Sequence, residues 1–440
     1  MDKNKQKINI ITLGCSKNLV DSEDLMGQLQ RNEFTITPDA EGSDVTVINT
    51  CGFIEAAKQE SIDTILQAVE LKKEGRIKKL IVMGCLSERY AGELRAEIPD
   101  VDEYIGANKM GQVVKALGGD DKYELLGERR LTTPRHFAYL KISEGCDRPC
   151  AFCAIPLMRG AHVSKPIERI TLEARRLALL GVKELVFIAQ DSTYYGLDLY
   201  GKRSLPQLLD QLEKIDGIEW IRLMYAFPTG FPEEVLERFN ENTKLCRYLD
   251  IPVQHAADSV LQSMRRGITS AQLRRLLDEI RGRVPGIALR TTLIVGYPNE
   301  GEKEFEELLT FVKEVQFDRL GVFTYSQEEG TTAYPLGDPI PQAVKDERRT
   351  IVMEAQREIS RQKNERMVGR NIRVLVDSRE GDVVIGRTER DAPEVDNEVM
   401  VHSAANFSVG QFYEVAVVDA EDYDLFAVGG SDIQAQHPGS

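Results

Sequence analysis

The sequence predicts an α/β chain in three parts: an N-terminal parallel α/β sheet domain, a central partial (βα)6 barrel, and a small C-terminal antiparallel β-barrel of the OB kind. Three observations predict it. Short apolar runs alternate with helical patterns from about residue 6 to 117, and strands of that kind belong to parallel sheets covered on both faces. The alternation resumes at Phe137 and runs through about six βα units to Tyr325, too few for a closed eight-stranded barrel. Beyond a long charged helix, five short β-rich runs follow within about 65 residues, punctuated by Gly, Asp and Asn, the pattern of a small antiparallel barrel.

In the first part the predicted strands are Ile8–Leu13, Val45–Asn49, Leu80–Gly84 and Tyr104–Ala107. A helix is predicted over Ile54–Lys73, where Ile62, Ile65, Leu66 and Val69 recur at helical spacing. The polar stretch Leu117–Arg135 loses the pattern and reads as a linker. In the second part the predicted strands are Phe137–Ile142, Glu184–Ala189, Trp220–Tyr225, Tyr248–Pro252, Ala288–Val295 and Leu320–Tyr325. Helices fill the gaps: Ile167–Leu180, Pro206–Lys214, Glu233–Asn240, Ser270–Arg283 and Glu302–Val315. Chemistry in such a fold gathers at the C-terminal ends of the strands. Asp346–Arg370 is a charged connecting helix. The last strands are Ile372–Asp377, Val383–Thr388, Glu398–Val401, Phe412–Asp419 and Leu425–Val428. The domain bounds that follow are 6–117, 132–370 and 371–438.

The 440 residues are 42% hydrophobic and 29% charged, ordinary for a soluble globular protein. No apolar run reaches the ~18 residues of a membrane span, and the start "MDKNKQKINI" carries no signal-peptide core. A cytoplasmic enzyme without membrane association is expected. The net charge of −15 is uneven: from Asn371 to Ser440 there are 4 Lys+Arg against 14 Asp+Glu, or −10. An acidic module repels phosphate and suits a basic partner. Phe407, Phe412, Tyr413 and Phe426 in it could stack bases, but at their strand spacing they read as core.

Of seven cysteines, three stand in "EGCDRPCAFCAIPLMRG" as Cys146, Cys150 and Cys153, spaced C-x3-C-x2-C. Three thiolates on one loop can wrap one face of a [4Fe–4S] cube and leave the fourth iron open. Zinc wants four ligands, and no fourth Cys or His stands at ligand spacing; a disulfide cannot use three thiols. Three more cysteines each follow a predicted strand, in "INIITLGCSKN" (Cys15), "DVTVINTCGFIE" (Cys51) and "KLIVMGCLSERY" (Cys85). Their separations of 36 and 34 residues are about one βα unit each. Parallel strands end on one edge, so these thiols are expected to converge as a second three-ligand site. Gly14, Gly52 and Gly84 beside them permit close backbone approach. Cys246 lacks such a context and reads as a core thiol. In the central part "FIAQDSTYYG", "DIPVQHAADSVLQSMRRG" and "TTLIVGYPNE" place Gln190, Gln254 and Gly296 after strands as candidate cofactor-binding positions. Arg265 and Arg266 could pair with a carboxylate, but they read first as solvated helix-surface cations.

The Cys146 loop at the head of six βα units resembles the radical S-adenosylmethionine superfamily. Two three-cysteine sites, a charged helix and a small β-barrel together resemble its methylthiotransferase family over essentially the whole chain. The resemblance implies two [4Fe–4S] clusters, with Cys15, Cys51 and Cys85 holding an auxiliary one and Cys146, Cys150 and Cys153 the radical one. It further implies S-adenosyl-L-methionine as cofactor and a C-terminal TRAM domain. "LGCSKNLVDSE", "GCDRPCAFCAIP", "PVQHAAD" and "DAPEVDN" resemble the RimO branch, which modifies a ribosomal protein, rather than the tRNA branch. What this implies is methylthiolation of the β-carbon of an aspartate in small-subunit ribosomal protein number twelve, a basic partner. An external electron donor is implied, and nucleic acid is not expected as substrate. The competing readings are a tRNA adenosine methylthiotransferase and a non-catalytic iron–sulfur redox sensor that binds the ribosome.

Overall fold

The computed structural model describes residues 6–121, 128–239, 243–402 and 406–429. The N-terminal part runs β1 (Lys7–Thr12), α1 (Ser16–Arg31), β2 (Thr35–Thr37), β3 (Val45–Thr50), α2 (Glu55–Lys73), β4 (Lys79–Gly84), α3 (Cys85–Glu97), β5 (Glu103–Gly106) and α4 (Met110–Ala116). Its sheet is parallel throughout, in the order β2-β1-β3-β4-β5. β3 is buried along its whole length and β4 along all but its first residue; β4 reads as an unbroken apolar run, while β3 interleaves the buried Thr46, Asn49 and Thr50 with its apolar residues. The order reverses between β1 and β3, and a crevice opens outside the strand ends at such a point. The edge strand β2 escapes the sequence reading because its three residues are half-exposed or exposed and hold a single apolar side chain.

The central part continues through β6 (Phe137–Lys141), β7 (Ser143–Glu144), α5 (Ile155–Arg159), β8 (Val163–Ser164), α6 (Ile167–Leu179), β9 (Glu184–Ile188), α7 (Leu197–Tyr200), α8 (Leu205–Leu212) and β10 (Trp220–Leu223). It ends with β11 (Leu245–Asp250), α9 (Asp258–Ser263), α10 (Ser270–Arg283), β12 (Ala288–Val295), α11 (Glu302–Val315), β13 (Arg319–Thr324) and the arm α12 (Gln342–Glu365). Six parallel strands form the open sheet β13-β12-β11-β10-β9-β6, the partial barrel that six βα units predict. The helix expected over Glu233–Asn240 is instead a 3₁₀ turn over Glu233–Arg238 that follows Pro232, and Asn240 lies outside the described residues.

The C-terminal strands β14 (Asn371–Glu380), β15 (Val383–Arg387), β16 (Val399–His402), β17 (Phe412–Ala420) and β18 (Leu425–Gly429) close into a barrel in the order β14-β15-β16-β18-β17. The expected module reaches to 438, of which 430–438 lie outside the described residues. Of its aromatics, Phe407 stacks on Tyr413 at 3.8 Å between centroids, and Phe412 meets Trp220 of the central part edge-on at 4.7 Å.

The segment between β15 and β16 packs against the cations and tyrosines of the open barrel. The Tyr139 hydroxyl donates to Glu394 at 2.5 Å, and that of Tyr248 to Asp396 at 2.7 Å. Arg290 Nε donates to Asp396 at 3.2 Å, Arg222 donates to the Glu389 carbonyl at 2.7 Å, and Arg319 pairs with Asp391. Part of the module's acidic charge is therefore neutralised inside the molecule. This differs from the sequence expectation, in which the acidic module faces solvent or a basic partner.

Candidate functional site

Cys15 caps the N-terminus of α1, Cys51 directly follows β3, and Cys85 is the first residue of α3. All three lie on the edge where the strands end. A Cβ on Gly14 would come within 2.7 Å of Cys51 Cβ and 3.0 Å of its Sγ. Cys15 and Cys51 both oppose ionisation of Cys85, so the three sulfurs share one neighbourhood. Asn18, one turn beyond Cys15, ties the loops together: its Nδ2 donates to the carbonyls of Leu13 at 2.8 Å and Thr50 at 3.1 Å. Ser61 Oγ accepts from Cys51 N at 3.1 Å and donates to its carbonyl at 3.0 Å. Burial pushes the Cys85 thiol up to about 11, against the pull of Arg159, and raises that of Cys51.

The second triplet lies in the loop between β7 and α5, beside the end of β6. Burial pushes Cys146 up to about 11 and Cys153 to about 12, and both sense Cys150. Arg266 Nη1 donates to Cys150 Sγ at 3.2 Å, and the backbone N–H of Arg148 donates to Cys146 Sγ at 3.4 Å. Among the described residues no group of three His, Cys, Asp or Glu is placed to hold a single metal ion. A cube-shaped cluster puts each thiolate on a different iron and spreads its ligands wider. The raised thiol pKa of Cys51, Cys85, Cys146 and Cys153, the cations donating to sulfur and the three sulfurs in each set fit such a group, because its irons would supply charge that favours thiolate.

Arg159, at the end of the helix α5 that follows the Cys146 loop, reaches the first set. It is 3% exposed, donates from Nε to Cys85 Sγ at 3.3 Å and from Nη1 to Asp21 at 2.6 Å, and bonds Asn18. Lys141 at the end of β6 pairs with the same Asp21 and with Glu144 at 2.9 Å. The sheet edge of the first part and the barrel mouth of the second thus face each other across a buried ionic cluster. Two clefts, of about 290 and 410 Å³, lie elsewhere and include none of the six cysteines.

The other sequence candidates fall as follows. Gln254 holds a φ of +74°, rare for a side-chain-bearing residue, and its buried Oε1 has no partner among the described residues. Gln190 is half-buried just past β9, beside Asp191, which accepts from Arg148 Nε at 2.6 Å. Gly296 has φ +76°, and a Cβ there would lie 2.3 Å from Lys345 Cγ, so packing against α12 already demands a glycine. Arg266 is not the solvated surface cation the sequence suggested. It is 4% exposed, bonds the Pro252 carbonyl at 2.5 Å and lies over the Phe227 ring at 4.2 Å, as Arg148 does. Arg266 Nε and Arg148 Nη2 are buried without partners among the described residues. With Gln254 Oε1 they offer unmet polar capacity at the barrel mouth. The sequence reading also missed Arg159, Asp21 and Asn18; Asn18 stands three residues after Cys15, and that spacing on a helix start was the available signal. Cys246 is a core thiol, as expected.

Comparison with known proteins agrees with this layout. Family models match residues 7–106 (Uncharacterized protein family UPF0004), 140–312 (Radical SAM superfamily) and 368–428 (TRAM domain). The chain is 55% identical over 423 residues to the ribosomal protein uS12 methylthiotransferase RimO of Christiangramia forsetii, covering 96% of this chain and 94% of that one. It is 51% identical to the protein of the same name from Bacteroides thetaiotaomicron, covering 96% and 98%. In fold it is similar to the radical S-adenosylmethionine methyltransferase TsrM from Kitasatospora setae, with TM-score 0.53, 12% identity, and 75% of this chain and 77% of that one covered. The cobalamin-dependent radical enzyme OxsB gives the same TM-score over 80% of this chain and 56% of that one. Identity above half along almost the whole chain shows that the protein belongs to the RimO family of radical S-adenosylmethionine methylthiotransferases.

Proposed function

We propose that this enzyme adds a methylthio group to the β-carbon of an aspartate in ribosomal protein uS12, the substrate named for its relatives. The observation that carries this reading is the pair of three-thiol sets facing each other across Arg159, one on the sheet edge and one at the barrel mouth. Cys146, Cys150 and Cys153 would hold the radical cluster, and Cys15, Cys51 and Cys85 the auxiliary one. Gln254, with Gln190 and Gly296 on neighbouring strand ends, would hold S-adenosylmethionine, together with the unmet nitrogens of Arg148 and Arg266. When bound, these groups supply a carbon-centred radical and the sulfur to be transferred. The chain's own residues fix the geometry. Asn18 locks the loops that carry the auxiliary thiols, Arg266 and the Arg148 N–H stabilise charge on the radical-site sulfurs, and the Arg159 cluster sets the spacing between them. The remaining assignments are domains of 6–117, 132–370 and 371–438, an external electron donor and a cytoplasmic location.

The test is anaerobic reconstitution with iron and sulfide, followed by S-adenosylmethionine, reductant and either purified uS12 or tRNA. Peptide mass spectrometry should find a methylthio group on one uS12 aspartate and none on tRNA. Modification of tRNA alone would move the enzyme to the adenosine branch. A fully loaded protein that forms no 5′-deoxyadenosine would instead be a redox-sensing binder.

A further inference from the structure

The reading above leaves open what holds the target aspartate. Its carboxylate carbon is bonded directly to the β-carbon that must react, so the cation that takes the carboxylate also sets the position of that carbon.

The other cations around the two thiol sets each have at least one polar partner. Arg159 and Lys141 share Asp21, Arg148 pairs with Asp191, Arg266 holds Cys150 Sγ and the Pro252 carbonyl, and Arg290 pairs with Asp250 at 3.0 Å. Lys17 differs. It is the second residue of α1, two beyond Cys15, and only 6% exposed. Its Nζ stands 3.6 Å above the centre of the Tyr225 ring. Among the described residues it has neither a carboxylate partner nor a hydrogen-bond acceptor. The stem of Lys17 is buried while its Nζ is not among the fully enclosed side-chain nitrogens, so the ammonium stays reachable and can take an anion.

Its location suits the substrate. Tyr225 lies just past the end of β10, with φ +60°. It is pinned there by its N–H, which donates to Asp250 at 3.0 Å, and by its carbonyl, which accepts from Ser192 N at 3.0 Å. Lys17 therefore reaches from the sheet edge that carries Cys15 onto the wall of the barrel mouth. The acids of the same region are occupied: Asp21 and Glu144 by Lys141 and Arg159, Asp250 by Arg290, Glu394 by the Tyr139 hydroxyl.

We infer that Lys17 binds the side-chain carboxylate of the target aspartate and, with the Tyr225 ring as a platform, selects aspartate over an uncharged group. This rests on uS12 being the substrate. A base in tRNA has no carboxylate to offer, so Lys17 would contribute to the choice between the two substrate classes.

Binding of purified uS12, and of uS12 with the target aspartate changed to asparagine, is measured by calorimetry. The enzyme is the full-length reconstituted protein with S-adenosylmethionine and no reductant. The wild-type enzyme should prefer the aspartate form by at least about tenfold, the scale of a desolvated charge pair. Lys17→Met, which keeps the apolar stem, should bind the two forms alike, and Lys17→Arg should keep most of the preference. If the preference survives in Lys17→Met, or is absent from the wild type, the inference is overturned. A general packing defect would weaken both forms equally and would count against it too. The wild-type enzyme is then supplied with reductant. Failure to methylthiolate uS12 at that point overturns the substrate reading, and this inference with it, whereas normal modification alongside a Lys17→Met enzyme that retains the preference removes only the inference.

Discussion

Arg159 shows what a single side chain does here. One planar guanidinium serves a thiol, a carboxylate and an amide at once through Nε and its two terminal nitrogens. A lysine has one charged point and cannot reproduce that fork. Removing one partner of a buried ionic cluster costs about 3–5 kcal/mol, because it strands the remaining charge. Arg159→Ala should therefore lower the stability of the unloaded protein by about that amount, and Arg159→Lys by a smaller part of it; thermal unfolding at fixed pH measures both. Equal melting temperatures in all three proteins would mean that Asp21 is satisfied by Lys141 alone. The six cysteines were legible in the sequence because thiol spacing on a loop, or after consecutive strands, is a local signal. Arg159 was not, because its partners lie 138 and 141 residues away. Arg266 reads as a helix-surface cation beside Arg265 for the same reason: the groups that cover it, Cys150, the Pro252 carbonyl and the Phe227 ring, come from other segments of the chain.

At the scale of elements, the sheet and the partial barrel were legible and the small additions were not. β3, β6, β9 and β10 are buried along their whole length and β4 along all but its first residue, so each shows a concentration of apolar residues, whereas the edge strand β13 is half-exposed. β2 is half-exposed and the β7–β8 hairpin is two residues a side, too little chain for any periodicity to emerge. The convergence of the first thiol triplet is a property of the sheet, since it depends on β1 and β3 being neighbours across the switch point. Gly14 makes the approach possible: it has φ +86° and lies against Cys51. An alanine there would carry a left-handed strain of about 1–2 kcal/mol and a Cβ inside contact distance of Cys51. Gly14→Ala should displace Cys15 from Cys51 while leaving the Cys146 loop, which does not contact Gly14, intact. Iron per chain after reconstitution should fall by about half, with S-adenosylmethionine cleavage retained. Unchanged iron content would show that the sheet edge does not hold a cluster.

Across the whole molecule, the C-terminal barrel is part of the central fold as well as an appendage to it. Its 388–397 segment supplies partners to Arg222, Arg290, Arg319, Tyr139 and Tyr248, and Arg387 of β15 meets the fully buried Glu184 at 2.9 Å. Sequence charge alone showed only an acidic module, because which acids face inward depends on a docking that no local pattern encodes. A chain ending at Arg370 would leave Arg290, Arg319, Tyr139 and Tyr248 without these acids and Arg222 without the Glu389 carbonyl. Each broken buried pair costs about 3–5 kcal/mol, against a whole-domain stability of about 5–15 kcal/mol, so two such losses consume most of it. The shortened chain should therefore unfold at a much lower temperature or aggregate, instead of persisting as an active enzyme that merely lacks a substrate-docking module. Calorimetry and sedimentation of the two chains, both without iron, compare them directly. A soluble 1–370 chain with the full-length melting temperature would assign the acidic module to partner binding alone.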